Sequence, residues 1–137
     1  MLRVSPDGTE LWVQTVGANT NVVLDSESME VLHTEPTGRG PVQSAFGPAG
    51  GRYGLVTHLE EDFVLVLDRE TGRTVQRIDV GGAQANVSFM PDGATAYVTV
   101  TGRNEVVAID MEELAVVARI AAGEEPMGLV LLDPAAP

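Results

Sequence analysis

Apolar residues in this chain fall in short runs of about six, separated by a few residues rich in Gly, Pro, Asp and Asn. The runs favour Val, Ile, Leu, Tyr and Thr, the residues that fit a pleated surface. The clearest set lies in the last third. A short run at 86–90 is closed by Pro91-Asp92-Gly93. Here Pro presets φ, Asp bonds the backbone, and Gly accepts positive φ. Residues 96–101 form a second run, Gly102-Arg103-Asn104 a turn, and 105–110 a third run. Met111 to Leu114 turn again before 115–120. Short strands at about ten-residue spacing with a turn between each predict an antiparallel meander of four strands.

The same set occurs three times. Ser5-Pro6-Asp7-Gly8, Gly47-Pro48-Ala49-Gly50 and Met90-Pro91-Asp92-Gly93 stand 42 and 43 residues apart, and Leu132-Asp133-Pro134 begins a fourth echo. Asp25, Asp68 and Asp110 repeat at the same period, as do Gly38, Gly81 and Gly123. Residues 11–16 and 52–57 match the second strand, 22–25 and 63–68 the third, 30–33 and 74–78 the fourth. A fixed period in this range means a solenoid, propeller or array. The third strands are apolar at nearly every position, as strands buried on both faces are. Blades packed between two neighbours in a β-propeller have that environment. Arg77 and Arg119 suit the outer rim. The expected fold is all-β, a β-propeller of three four-stranded antiparallel blades over residues 1–41, 42–84 and 85–126. A fourth copy of the innermost strand is expected at 127–134.

Three blades make an arc rather than a ring. Each end blade would leave roughly five large side chains in water, at about 1.5–3 kcal/mol apiece, or on the order of 10 kcal/mol per face. That rivals the stability of a typical domain, and an exposed apolar face of this size normally marks an interface. The expected remedy is a homodimer that completes a six-bladed ring. A longer propeller from which the chain is cut, or a different protein as cap, are the alternatives. Leu129, Val130, Leu131 and Leu132 are expected to cross into the partner beside Leu11 and Val13, a form of strand exchange.

The segment Ala96-Tyr97-Val98-Thr99-Val100, after Pro-Asp-Gly and before Val106-Val107-Ala108-Ile109-Asp110, resembles the YVTN family of β-propeller repeats, with Val100 where the signature has Asn. Residues 80–87 and Gly123-Glu124-Glu125-Pro126-Met127-Gly128 are similar to that family's link between blades. Leu11-Trp12-Val13-Gln14 and Tyr53-Gly54-Leu55-Val56 are looser versions of the signature. The resemblance implies a binding scaffold of the cell-surface and extracytoplasmic kind; some relatives are lactonase-like or cofactor-associated enzymes.

Composition narrows the partners. The net charge is -12 and all eight basic residues are arginines. An acidic surface repels phosphate backbones, so nucleic acid is not an expected partner, nor is an anionic membrane. With no cysteine, disulfides and thiolate chemistry are excluded. No run approaches the ~18 apolar residues of a membrane helix. Met1 is followed directly by the first repeat, so no leader is read. A native Met1 would imply the cytoplasm, and a removed leader an extracytoplasmic site.

Candidate chemistry is sparse. Asp25, Asp68 and Asp110 fit hairpin turns better than a ring of calcium ligands. His33 is expected on an exposed outer strand. His58 is expected in a turn beside Glu60, Glu61 and Asp62, a run of acids that reads as a solvated loop rather than as a base or cation site. The pairs Glu112-Glu113 and Glu124-Glu125 are neighbours on loops and do not converge for acid–base work. Thr37-Gly38-Arg39-Gly40-Pro41 lacks the following helix of a phosphate loop. No catalytic residue, metal or cofactor is expected. The expected ligand site is the polar ring of loops at one channel mouth: Arg39, Gln84, Asn86 and Glu124 from the links, with Asn19, His58 and Asn104 from the turns. The leading expectation is a non-catalytic binding or scaffold module for a protein or small ligand. A lactonase-like hydrolase or lyase at the channel mouth, and a bare half-propeller assembly unit, are the alternatives.

Overall fold

The computed structural model describes residues 1–48 and 50–132. Twelve strands form three four-stranded antiparallel sheets, each in chain order from one edge to the other. Blade 1 comprises Leu2–Val4 (β1), Glu10–Thr15 (β2), Thr20–Asp25 (β3) and Val31–Pro36 (β4). Blade 2 comprises Pro41–Phe46 (β5), Tyr53–His58 (β6), Phe63–Asp68 (β7) and Thr74–Asp79 (β8). Blade 3 comprises Gln84–Phe89 (β9), Thr95–Val100 (β10), Glu105–Asp110 (β11) and Ala115–Ala121 (β12), with a 3-10 turn at Thr101–Arg103. The first strands β1, β5 and β9 approach one another and line the inside of the arc.

Alternation along each strand gives every blade a forward face, toward the next blade, and a rear face, toward the previous one. At the first joint Trp12 and Val23 of blade 1 meet Val56, Leu65 and Leu67 of blade 2, flanked by Phe46 and Phe63. At the second, Leu55, Val64, Val66 and Ile78 meet Ala96, Val98, Val107 and Ile109. Trp12 is the largest fully buried side chain. Its six-membered ring lies over Gly54, where a Cβ would come within 2.8 Å of two ring carbons. Phe46 closes the pocket edge-on, ring centroids 4.9 Å apart. The indole N–H donates to Glu10 Oε2 at 2.9 Å, so its polar handle is satisfied.

Burial follows position in the arc. In β7 five of six residues are buried. In β3 burial alternates, and in β11 only Val107, Ala108 and Ile109 are buried. All three third strands are apolar enough to be covered on both sides, but only blade 2 has a neighbour on each side. Leu2, Val4, Val31 and Leu32 of blade 1, and Ile120 of blade 3, are left exposed.

Within the single chain, residues 127–132 of the expected extra innermost strand pair with no blade. No strand occurs among residues 122–132, and residues 133–137, which include Asp133 and Pro134 of that expectation, lie outside the described residues. The reason is topological. A first strand pairs with the second strand of its own blade, and here each second strand already holds one. Among the described residues, those from 127 onward are tied to a blade by a 3.4 Å hydrogen bond from Thr99 Oγ1 to the Met127 carbonyl.

Replacing Gly54 by Ala should destabilise the protein by about 1–3 kcal/mol, because the new methyl overpacks the Trp12 ring. Gly17→Ala, where a Cβ meets open space, should stay within about 0.5 kcal/mol of the parent. Urea unfolding followed by Trp12 fluorescence measures both.

Candidate functional site

The links between blades and the turns joining second to third strands gather at one end of the arc. Asn19 and Asn104 sit in those turns with left-handed backbone, φ 55° and 58°. Asn tolerates this conformation because its short polar side chain bonds locally. The Asn19 Oδ1 accepts the Gly40 N–H at 3.1 Å, and the Asn104 Oδ1 accepts the Glu125 N–H at 3.0 Å. Their carbonyls accept Thr37 N–H and Ala122 N–H. Both asparagines therefore staple a turn to the following link.

Arg39 lies over the next turn. Its Nε is 3.2 Å from Glu61 Oε1, and Nη2 donates to the Glu60 carbonyl at 3.0 Å. The Arg39 backbone N–H also donates to Glu61 Oε1, at 2.9 Å. That backbone bond, more than the guanidinium, holds the Glu61 carboxyl below its ordinary range. A cleft of about 370 Å³ opens here between Arg39, Leu59, Glu60, Asp62 and Gly82. A second, of about 350 Å³, lies beside Thr101, Glu125 and Met127. Glu124 is exposed next to it.

His58, Gln84 and Asn86 depart from the expected exposed ring. His58 is the last residue of β6 rather than part of a turn, and it is fully buried. Its Nδ1 lies 3.3 Å from the Phe63 carbonyl, and the two rings are 5.2 Å apart. Nε2 has no hydrogen-bond partner among the described residues. Burial pulls the His58 pKa below its ordinary value. Gln84 is also fully buried. Its Oε1 accepts the His58 N–H at 3.0 Å, and its Nε2 donates to the carbonyls of Glu61, at 2.8 Å, and Gly82. It ties blade 3 to blade 2 instead of facing solvent. Asn86 lies within β9, its N–H donating to Thr99 Oγ1. These three were displaced from the mouth because the strands extend further toward it than the apolar runs indicate: β9 begins at Gln84, not Asn86.

The predicted residues thus form separate groups: Asn19, Arg39 and Glu61 around the first link, His58 with Gln84 inside, and Asn104 with Glu124 and Glu125 at the third. Sequence reasoning missed Gln43, which is buried and whose Oε1 accepts the Val87 N–H across the second joint at 3.3 Å. It also missed Gln14 and Asn21, bonded to each other at 2.8 Å in the first joint. The available signal was a polar side chain in the buried phase of a strand. Asp25, Asp68 and Asp110 accept turn amides, at 2.7 Å from Ser28, 3.1 Å from Thr71 and 2.8 Å from Glu113. His33 lies half-buried against Gly72.

No protein-family model matches the chain, and no curated protein does. Solved structures do match. A chain titled Kuenenia stuttgartiensis hydrazine synthase is 26% identical, with TM-score 0.85, over 91% of this chain and 36% of that one. U3-55K is 15% identical, TM-score 0.82, over 90% and 39%. The dihydro-heme d1 dehydrogenase NirN is 17% identical, TM-score 0.77, over 92% and 28%. The fold of these neighbours is the β-propeller, and this chain corresponds to about a third of their length.

His58 makes stability depend on pH. Its folded pKa lies below the ordinary 6.5, so the unfolded chain binds the proton first as pH falls. Stability is fully present above pH 6.5 and is lost as pH drops toward the folded value, by at most about 1.4 kcal/mol per unit. His58→Val, which places there the residue found at Val100 in blade 3, should flatten the unfolding free energy between pH 7.5 and 5.5.

Proposed function

We propose that this three-bladed arc is a non-catalytic binding and scaffold module that closes into a six-bladed ring as a homodimer. It takes a protein or small ligand at the link end, in the clefts beside Arg39 and Glu125. The resemblance of Ala96-Tyr97-Val98-Thr99 and its neighbours to YVTN repeats agrees with a scaffold role.

One observation carries this reading. The two uncovered faces repeat the two sides of the joints within the arc. On the rear of blade 1, Leu11, Val13, Val22 and Leu24 occupy the register positions of Gly54, Val56, Leu65 and Leu67. On the front of blade 3, Tyr97, Thr99, Val106 and Ala108 occupy those of Leu55, Thr57, Val64 and Val66. Each is the face that its opposite number is shaped to cover. The rims agree in size as well. At the first joint His33 rests on Gly72. The equivalent positions on the free faces are Ala118 and Met29, small against large with the order reversed. Met29, Gly72 and Leu114 share the same left-handed turn position, φ 60°, 68° and 51°. In the closed ring residues 129–132 displace the three-residue β1, every residue of which is exposed, and pair with β2 of the partner.

Light scattering at micromolar concentration should give the mass of two chains. Val13→Glu and Leu24→Arg should each give one, because a charge buried at the joint without a partner is strongly unfavourable. Truncation after Gly123 should also give one chain. A single-chain mass for the intact protein overturns the ring, and an unchanged dimer on truncation overturns the strand exchange.

A further inference from the structure

The end of the arc opposite the links carries two clefts that are register-equivalent but chemically unlike. The first, of about 360 Å³ between blades 1 and 2, is lined by Asp7, Glu10, Arg52, Arg69 and Glu70. The second, of about 330 Å³ between blades 2 and 3, is lined by Tyr53, Phe89, Asp92, Asp110, Met111 and Glu112 with Arg52 at its rim. Tyr53 stands where Glu10 does, Met111 where Arg69 does, and Glu112 where Glu70 does. Matching backbone bonds fix the alignment: the N–H of Arg69 donates to the Arg52 carbonyl, and that of Met111 to the Ala94 carbonyl.

The first cleft holds a cation of its own. Arg69, almost buried, stacks its guanidinium 5.3 Å from the Phe46 ring centroid. It meets Asp7 at 3.4 Å and donates to the Gly51 carbonyl at 3.1 Å. The second cleft keeps the aromatic platform, since Phe89 occupies the Phe46 position, but Met111 supplies no charge. Asp92, Asp110 and Glu112 line it; Asp92 and Asp110 accept turn amides, and none of the three carboxylates joins an ion pair among the described residues. The rim guanidinium of Arg52 is already engaged by Asp68 at 2.9 Å. The surplus is negative, above an aromatic and thioether floor. That combination attracts a flat cation, through the carboxylates and the ring face together.

We propose that the cleft between blades 2 and 3 binds a guanidinium group, the side chain of an arginine in a partner polypeptide, in the place that Arg69 fills between blades 1 and 2. Arginine rather than lysine follows from the platform, because a planar guanidinium stacks on an aromatic face and reaches carboxylates in its own plane. The proposal is independent of the ring and of the link-end clefts.

The test is a titration of the isotope-labelled intact chain with acetyl-arginine amide, acetyl-citrulline amide as its neutral isostere, and agmatine as a free guanidinium. Saturable shifts of the Phe89, Ala94 and Met111 amides are expected with acetyl-arginine amide, at least about tenfold tighter than with the citrulline compound. Asp92→Asn with Glu112→Gln should weaken binding by about tenfold or more. Met111→Arg should abolish it by supplying the cation internally, with Trp12 fluorescence showing that the fold is kept. Equal binding of the citrulline compound, absence of saturation, or undiminished binding in a folded Met111→Arg chain overturns the site. Tighter binding of agmatine than of acetyl-arginine amide overturns the polypeptide origin.

Discussion

Sheet-against-sheet packing between successive blades is the constraint on which this molecule depends. A four-stranded antiparallel sheet cannot bury its apolar side chains within itself, because they project perpendicular to its plane. Each blade must therefore borrow a surface from the next. Blade 2 borrows twice and contains β7, the most thoroughly buried strand. Blades 1 and 3 borrow once, and their residual faces are where Leu2, Val4 and Ile120 meet solvent. The Trp12–Gly54 contact shows how tightly one such joint is shaped: a missing side chain on blade 2 is filled by the largest side chain of blade 1.

Within that frame the buried polar residues keep the joints in register. Gln43 and Gln84 carry side-chain hydrogen bonds across the joint between blades 2 and 3. A buried amide without such a partner would be costly, so these glutamines favour one relative placement of the blades over a slipped one. Asn19 and Asn104 do the same work at the surface, binding a turn to a link. Much of the polarity that reads as a ligand site is thereby engaged in holding the architecture. Among the described residues, the carboxylates of Glu60, Asp62, Glu124 and Glu125 and the outward part of Arg39 are left free at the link end.

Repetition supplies the fold, and departures from repetition supply chemistry. Arg69, Met111 and Ser26 occupy one position in the three blades. Arg69 bridges to Asp7 and the Gly51 carbonyl. Met111 is a neutral floor, and Ser26 donates from its hydroxyl to the Gly8 carbonyl at 2.6 Å. The same backbone thus presents three electrostatic environments.

The period near 43, the turn residues and the apolar runs were enough to read four strands per repeat, three blades and an incomplete ring, because these depend on local geometry and alternation that the chain carries everywhere. The turn role of Asp25, Asp68 and Asp110 was legible for the same reason, as each carboxylate bonds amides two or three residues away. His58, Gln84 and Gln43 were not legible. Whether a polar side chain near a strand end faces water or the next blade depends on a one- or two-residue difference in where the strand stops and on what the neighbouring sheet places opposite. That residues 128–132 have no second strand to pair with inside the arc was legible, because the run is a fourth innermost strand set against three second strands. Local pattern determined what each blade is; contact between blades decided which of its residues remain free to bind anything.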